Sequence, residues 1–210
     1  MRECVTAESP ICLAMTGASG AQYGLRLLEI LLGGGQTVYL LISKPAQIVI
    51  GMETGIDLPG RSTEMERYFE DRHAIAAGQL RVFGREEWTA PVASGSGAGG
   101  AMVICPCSMA TVSAVACGAS RSLIERAADV MLKERRPLIL VPRETPLSVL
   151  HLENLLRIAR AGGTVLPANP GFYHRPGTID DLVDFVVARI LNHLGIAHSL
   201  MPSWGERDEE

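Results

Sequence analysis

Five short segments of this chain concentrate the residue types that hold anions and move protons. Thr16-Gly17-Ala18-Ser19-Gly20 pairs small residues with hydroxyls, so that backbone N–H groups can approach a phosphate closely; a tight turn is the other reading of the same residues. Ser43-Lys44-Pro45 and Ser108-Met109-Ala110-Thr111 offer further hydroxyls. Arg143-Glu144 sets a cation beside a carboxylate. It can serve a phosphate oxygen and a proton, or form a mutual ion pair that orders a loop. Tyr173 lies in a Pro- and Gly-bounded loop, where it can bind a phosphate or cap the core. Arg126 and Lys133 are seven residues apart and share one helical face, as an anion site or as a solvated stripe. Arg189 falls at the edge of an apolar helix face, where a charge either meets a ligand or snorkels to water. Glu53 ends a helical segment and reads by default as a surface residue. No metal cluster is visible, since Asp180, Asp181 and Asp184 fall on the polar face of the last helix. Cations, hydroxyls and one or two carboxylates without a metal suit a phosphorylated substrate and a phosphate-bearing cofactor.

These residues need a scaffold, and the apolar pattern supplies one. Short apolar runs at 11–16, 38–42, 101–105, 138–141 and 164–166 read as buried strands, with a short extra run at 80–83. Helical periods cover 20–32, 43–54, 108–118, 122–135, 145–161 (with Pro146 at its start) and 180–194, and a less clear one covers 65–77. Buried strands alternating with helices predict one α/β domain, residues 1–210. Its doubly wound parallel sheet, flavodoxin-like or Rossmann-like, has helices on both faces. In such sheets the ligand lies beyond the C-terminal strand ends, where strand order reverses, and FMN is a known occupant of the flavodoxin-like crevice. The hydroxyl- and charge-bearing segments all leave predicted strand ends. Residues 1–9 read as an N-terminal extension, 84–100 as a mobile loop, and 196–210 as a tail that docks on a neighbouring copy through Trp204.

Composition excludes several classes. The chain has 210 residues and is 47% hydrophobic, enough for a core without staples. With 19 Lys and Arg against 23 Asp and Glu, the net charge of −4 offers no basic surface for nucleic acid. No run approaches the ~18 apolar residues of a membrane span, and no signal-like stretch is present, so a cytoplasmic protein is expected. The five cysteines, Cys4, Cys12, Cys105, Cys107 and Cys117, are read as core residues and free thiols, not as a disulfide framework.

The chain closely resembles the UbiX-like flavin prenyltransferases. The resemblance rests on MTGASGAQYGLRLL at 15–28, LISK at 41–44, ICPCSMAT at 104–111, LIERAADVMLKERRPLILVPRETPLS at 123–148, HLENLL at 151–156 and PGFYHRP at 170–176. It implies transfer of a dimethylallyl group from dimethylallyl monophosphate to reduced FMN, without metal. The prenylated FMN would serve a UbiD-type decarboxylase, in ubiquinone biosynthesis or aromatic acid decarboxylation. It further implies that Gly17, Ala18, Ser19, Ser43, Ser108, Met109, Ala110, Thr111 and Arg143 hold FMN. Arg126, Lys133, Tyr173 and Arg189 would hold the substrate phosphate, with Arg126 coming from a neighbouring subunit. Ser19, Glu53 and Glu144 match catalytic positions. The chain departs from the pattern at Met109-Ala110, where relatives often carry a Lys. A large homo-oligomer, a dodecamer, is also implied. The alternatives are an FMN-dependent decarboxylase of a cysteine-containing substrate, and an FMN carrier without catalysis.

Overall fold

The computed structural model describes residues 9–201, so Cys4, Trp204 and most of the proposed extension and tail lie outside the described residues. Six strands of these residues form one parallel sheet: β1 (Ile11–Met15), β2 (Val38–Ile42), β3 (Leu80–Val82), β4 (Ala101–Cys107), β5 (Leu138–Pro142) and β6 (Thr164–Val165). Their order is β3-β2-β1-β4-β5-β6, so direction along the sheet reverses between β1 and β4. The short run at 80–83 is thus a true strand that pairs with β2 from the edge.

Among the described residues, seven α-helices cover the sheet: α1 (Ala21–Gly33), α2 (Lys44–Thr54), α3 (Ser62–His73), α4 (Met109–Ala116), α5 (Leu123–Lys133), α6 (Val149–Arg160) and α7 (Ile179–Leu194). The period-2 alternation of a strand splits each run between two cores. Ile11, Leu13 and Met15 of β1 pack with Leu27 and Leu31 of α1, Ile50 of α2, Phe69 of α3, and Val186 and Ile190 of α7. Cys12 and Ala14 face the other way, toward Val112 of α4, Met131 of α5 and Ile158 of α6. Burying each such Leu, Ile or Val contributes about 1.5–3 kcal/mol.

One expectation needs correction. The helix read from Thr145 begins only at Val149, so Pro146 is not its first residue. The residue before a proline is steered away from helical angles, and Ser148 and His151 form a reciprocal capping box that fixes the later start. The long segment at 84–100 is loop apart from one short turn, and it packs against the second core. Val92 and Ala98 are fully buried in the second core, and a short turn of 3₁₀ helix runs over Pro91–Ala93. Arg126 Nε donates to Ala93 O at 3.0 Å, and Arg136 donates to the Gly99 carbonyl.

Candidate active site

The crevice lies at the C-terminal ends of β1, β2 and β4, where the N-termini of α1, α2 and α4 meet. A helix N-terminus leaves N–H groups unpaired and carries partial positive charge. None of the three helices has an acidic residue in its first turn. Ser43 caps α2 by accepting from Ala46 N at 3.2 Å, and Ser108 caps α4 by accepting from Thr111 N at 3.4 Å. The Ser108 and Thr111 hydroxyls are 3.1 Å apart. Met109 packs into the core, so only its backbone can serve a ligand, whereas Ala110 is exposed.

Gly17 lets the first turn lie against the start of α2: a Cβ there would stand 2.5 Å from Pro45 Cβ. Gly20 caps α1 at φ +104°, a left-handed conformation suited to glycine, and it provides no side chain to cap with. That function passes to Glu53. Its carboxylate accepts from Gly20 N at 2.9 Å and Ala21 N at 2.8 Å. Burial alone would raise the Glu53 pKa. The Ser19 hydroxyl, the Ala21 and Gly20 N–H groups and the charge of Arg143 outweigh burial and hold it below its ordinary value. Glu53 is therefore no solvated surface residue but an ionised group anchored at the α1 N-terminus.

Arg143 leaves the end of β5 and donates from Nε to Ser19 O at 3.2 Å. It does not pair with Glu144, which is exposed and accepts from its own neighbour, Thr145 N, at 3.1 Å. Ser19, Glu53 and Arg143 thus form one constellation with Ser43 and Ser108–Thr111 around them. Tyr173 and Arg189 belong to a second group. Tyr173 is 55% exposed and packs edge-on against Phe185 of α7 at 5.7 Å between ring centres, and Arg189 follows Phe185 by one helical turn.

Within one chain, Arg126 and Lys133 do not join them. Arg126 is engaged by Asp129 at 2.9 Å and by the Ala93 carbonyl, and Lys133 pairs with Glu134. Lys133 ends the helix that feeds the start of β5, while Arg143 follows the other end of that strand, roughly 16 Å along. Helical spacing put these two cations on one face, but it could not say that loop 84–100 covers part of that face.

The first residue of the glycine-rich turn has a role that only the fold shows. Thr16 is 3% exposed, and its hydroxyl joins the turns after β1 and β4. A hydroxyl at the end of an apolar strand, just before a glycine-rich turn, was the available signal. Burial pushes the thiols of Cys12, Cys105 and Cys107 well up, which removes them as nucleophiles. Among the described residues no cluster of three or more His, Cys, Asp or Glu could hold a metal ion, and no helix is long and apolar enough to cross a membrane.

The family model described as Flavoprotein matches residues 3–191. The flavin prenyltransferase UbiX of Pseudomonas aeruginosa is 60% identical over 197 residues, covering 94% of each chain. The crystal structure of AnUbiX in complex with FMN and dimethylallyl pyrophosphate superposes with a TM-score of 0.83 at 38% identity, covering 95% of this chain and 98% of that one. A dodecameric FMN-dependent UbiX-like decarboxylase of Escherichia coli O157:H7 superposes with a TM-score of 0.79 at 38% identity, over 90% and 96% of the chains. The doubly wound sheet, the hydroxyl-capped crevice and identity along nearly the whole length agree: this chain belongs to the flavoprotein family and, within it, to the flavin prenyltransferases of the UbiX type.

Proposed function

We propose that the protein transfers a dimethylallyl group from dimethylallyl monophosphate to reduced FMN, and that a UbiD-type decarboxylase takes up the prenylated product. The observation that carries this reading is the crevice itself. Three helix N-termini without first-turn acids converge on it, beside the Ser19–Glu53–Arg143 constellation. The residues suit FMN: hydroxyls at Ser43, Ser108 and Thr111, the small turn Gly17-Ala18-Ser19, the α4 backbone at Met109-Ala110, and the Arg143 guanidinium. Bound there in reduced form, FMN supplies the nucleophilic ring system that accepts the prenyl group.

The chain's own residues do the rest. Cleaving an allylic C–O bond builds charge on the departing phosphate, and fixed cations stabilise it in the transition state. Arg189 fills that role from α7, offering a fork that matches phosphate oxygens, and the Tyr173 hydroxyl adds a hydrogen-bond donor from the preceding loop. Arg126 and Lys133 complete the anion pocket from a neighbouring copy, since one chain holds them away from it. Exposed Val149, Leu150 and Leu152 on α6, and Phe172 and Ile179 before and at the start of α7, provide apolar surface for such an assembly. Glu144, free of Arg143, relays a proton from solvent to the leaving phosphate. Glu53 accepts from Ser19 and keeps that hydroxyl aimed, so Ser19 can pass on the proton lost at ring closure, with the released phosphate as the other acceptor. Residues 84–100 carry Trp88, 48% exposed, as a covering element. A cytoplasmic location follows from this role.

Decarboxylation of a cysteine-containing substrate is not favoured beside 60% identity to a flavin prenyltransferase. The test is anaerobic: purified protein, reduced FMN and dimethylallyl monophosphate, without metal, followed by mass spectrometry of the released flavin. A gain of one five-carbon unit is expected, and the diphosphate run in parallel defines the donor. Unmodified flavin with both donors refutes the proposal.

A further inference from the structure

The two walls of the crevice, the turn at 17–20 and the start of α4, come from strands that part company just before the site. The β1–β4 ladder ends at the pair Ala14–Ile104, and β4 shifts register between Ile104 and Cys107. Pro106 lies inside that irregularity and has no N–H to donate. Past the ladder's end the contacts are made by one residue. Thr16 N donates to Pro106 O at 3.1 Å, Thr16 Oγ1 donates to the same oxygen at 3.0 Å, and Ser108 N donates to Thr16 Oγ1 at 2.8 Å. The side chain is 3% exposed, and a buried hydroxyl that both donates and accepts leaves little freedom in its orientation.

We infer that Thr16 is a positioning residue for flavin binding: its hydroxyl bridges the gap left by the β4 irregularity and sets the separation of the two turns that face the flavin. It makes no contact with the ligand and acts through Ser108. The Ser108 N–H is held by Thr16 while its Oγ caps Thr111 N, so the cap, the Thr111 hydroxyl beside it and the start of α4 are registered against Gly17–Ser19 by one side chain. Without the hydroxyl, Ser108 N loses its partner at the crevice wall and α4 is free to shift.

The inference rests on the flavin reading, and the experiment separates the two. FMN is titrated into the full-length protein by flavin fluorescence, and melting temperature is followed by circular dichroism. Thr16→Val keeps the volume and removes both hydroxyl bonds; about tenfold weaker FMN binding is expected. Thr16→Ser restores the bonds and is expected to bind within about twofold of wild type. A core variant away from the site, Leu191→Ala, is expected to lower the melting temperature while binding FMN normally. If Thr16→Val does not fold, Thr16→Ala reads the same loss. Wild-type affinity in the folded Val or Ala variant, or weakening in Ser equal to that in Val, overturns the positioning role. Absence of FMN binding by the wild-type protein instead overturns the flavin reading itself.

Discussion

Replacing Glu53 with Gln isolates a charge that the fold has placed at the start of α1. The carboxylate accepts from Gly20 N and Ala21 N at 2.9 and 2.8 Å, and from the Ser19 hydroxyl. The amide keeps one acceptor oxygen but loses the anion facing the helix dipole. An anion at such a terminus contributes about 0.3–1 kcal/mol, up to about 2 when partly buried, and hydrogen bonds to charged groups exceed neutral ones. Solvent reaches part of this group, so a loss of about 1–1.5 kcal/mol is expected, or roughly 2–6 °C in melting temperature for a chain of this size. The pH dependence carries the sharper signature. The folded-state pKa is lowered from 4.5, so the unfolded chain binds this proton first as the pH falls. Glu53 therefore stabilises fully above about pH 4.5, and its contribution vanishes as the pH drops through the lowered folded value. Thermal melts of wild type and Glu53→Gln should differ at pH 7 and converge only as the pH falls through the lowered folded value. A difference that persists unchanged at low pH, or none at pH 7, refutes the anionic cap.

Other substitutions read neighbouring parts of the site. Gly17→Ala places a methyl 2.5 Å from Pro45 Cβ and should cost about 1–3 kcal/mol in thermal unfolding while weakening FMN binding. Glu144→Gln should leave flavin titration unchanged and slow prenyl transfer by about 10²-fold, measured by single-turnover mass spectrometry; undiminished turnover removes Glu144 from the mechanism. Arg189→Ala should raise the KM for the allylic phosphate at least tenfold with flavin still bound. Loss of flavin instead would place Arg189 at the cofactor.

Local signals carried much of the architecture. Short apolar runs marked β1, β2, β4 and β5, and helical periods marked α2, α4 and α5 to within a residue or two, because strand and helix periods are properties of a few adjacent residues. Resemblance along the chain then assigned the family. The tertiary structure alone decided what depends on residues far apart in sequence. It brought Glu53 across 33 residues to Gly20, and Thr16 across 92 to Ser108. It turned Arg143 toward Ser19 and away from Glu144, and it left Arg126 and Lys133 bound to partners of their own. A side chain's period says which way it points from its own element. Only the packing of other elements against it decides whether a carboxylate meets water or the N-terminus of a helix, and so whether Glu53 is surface or site.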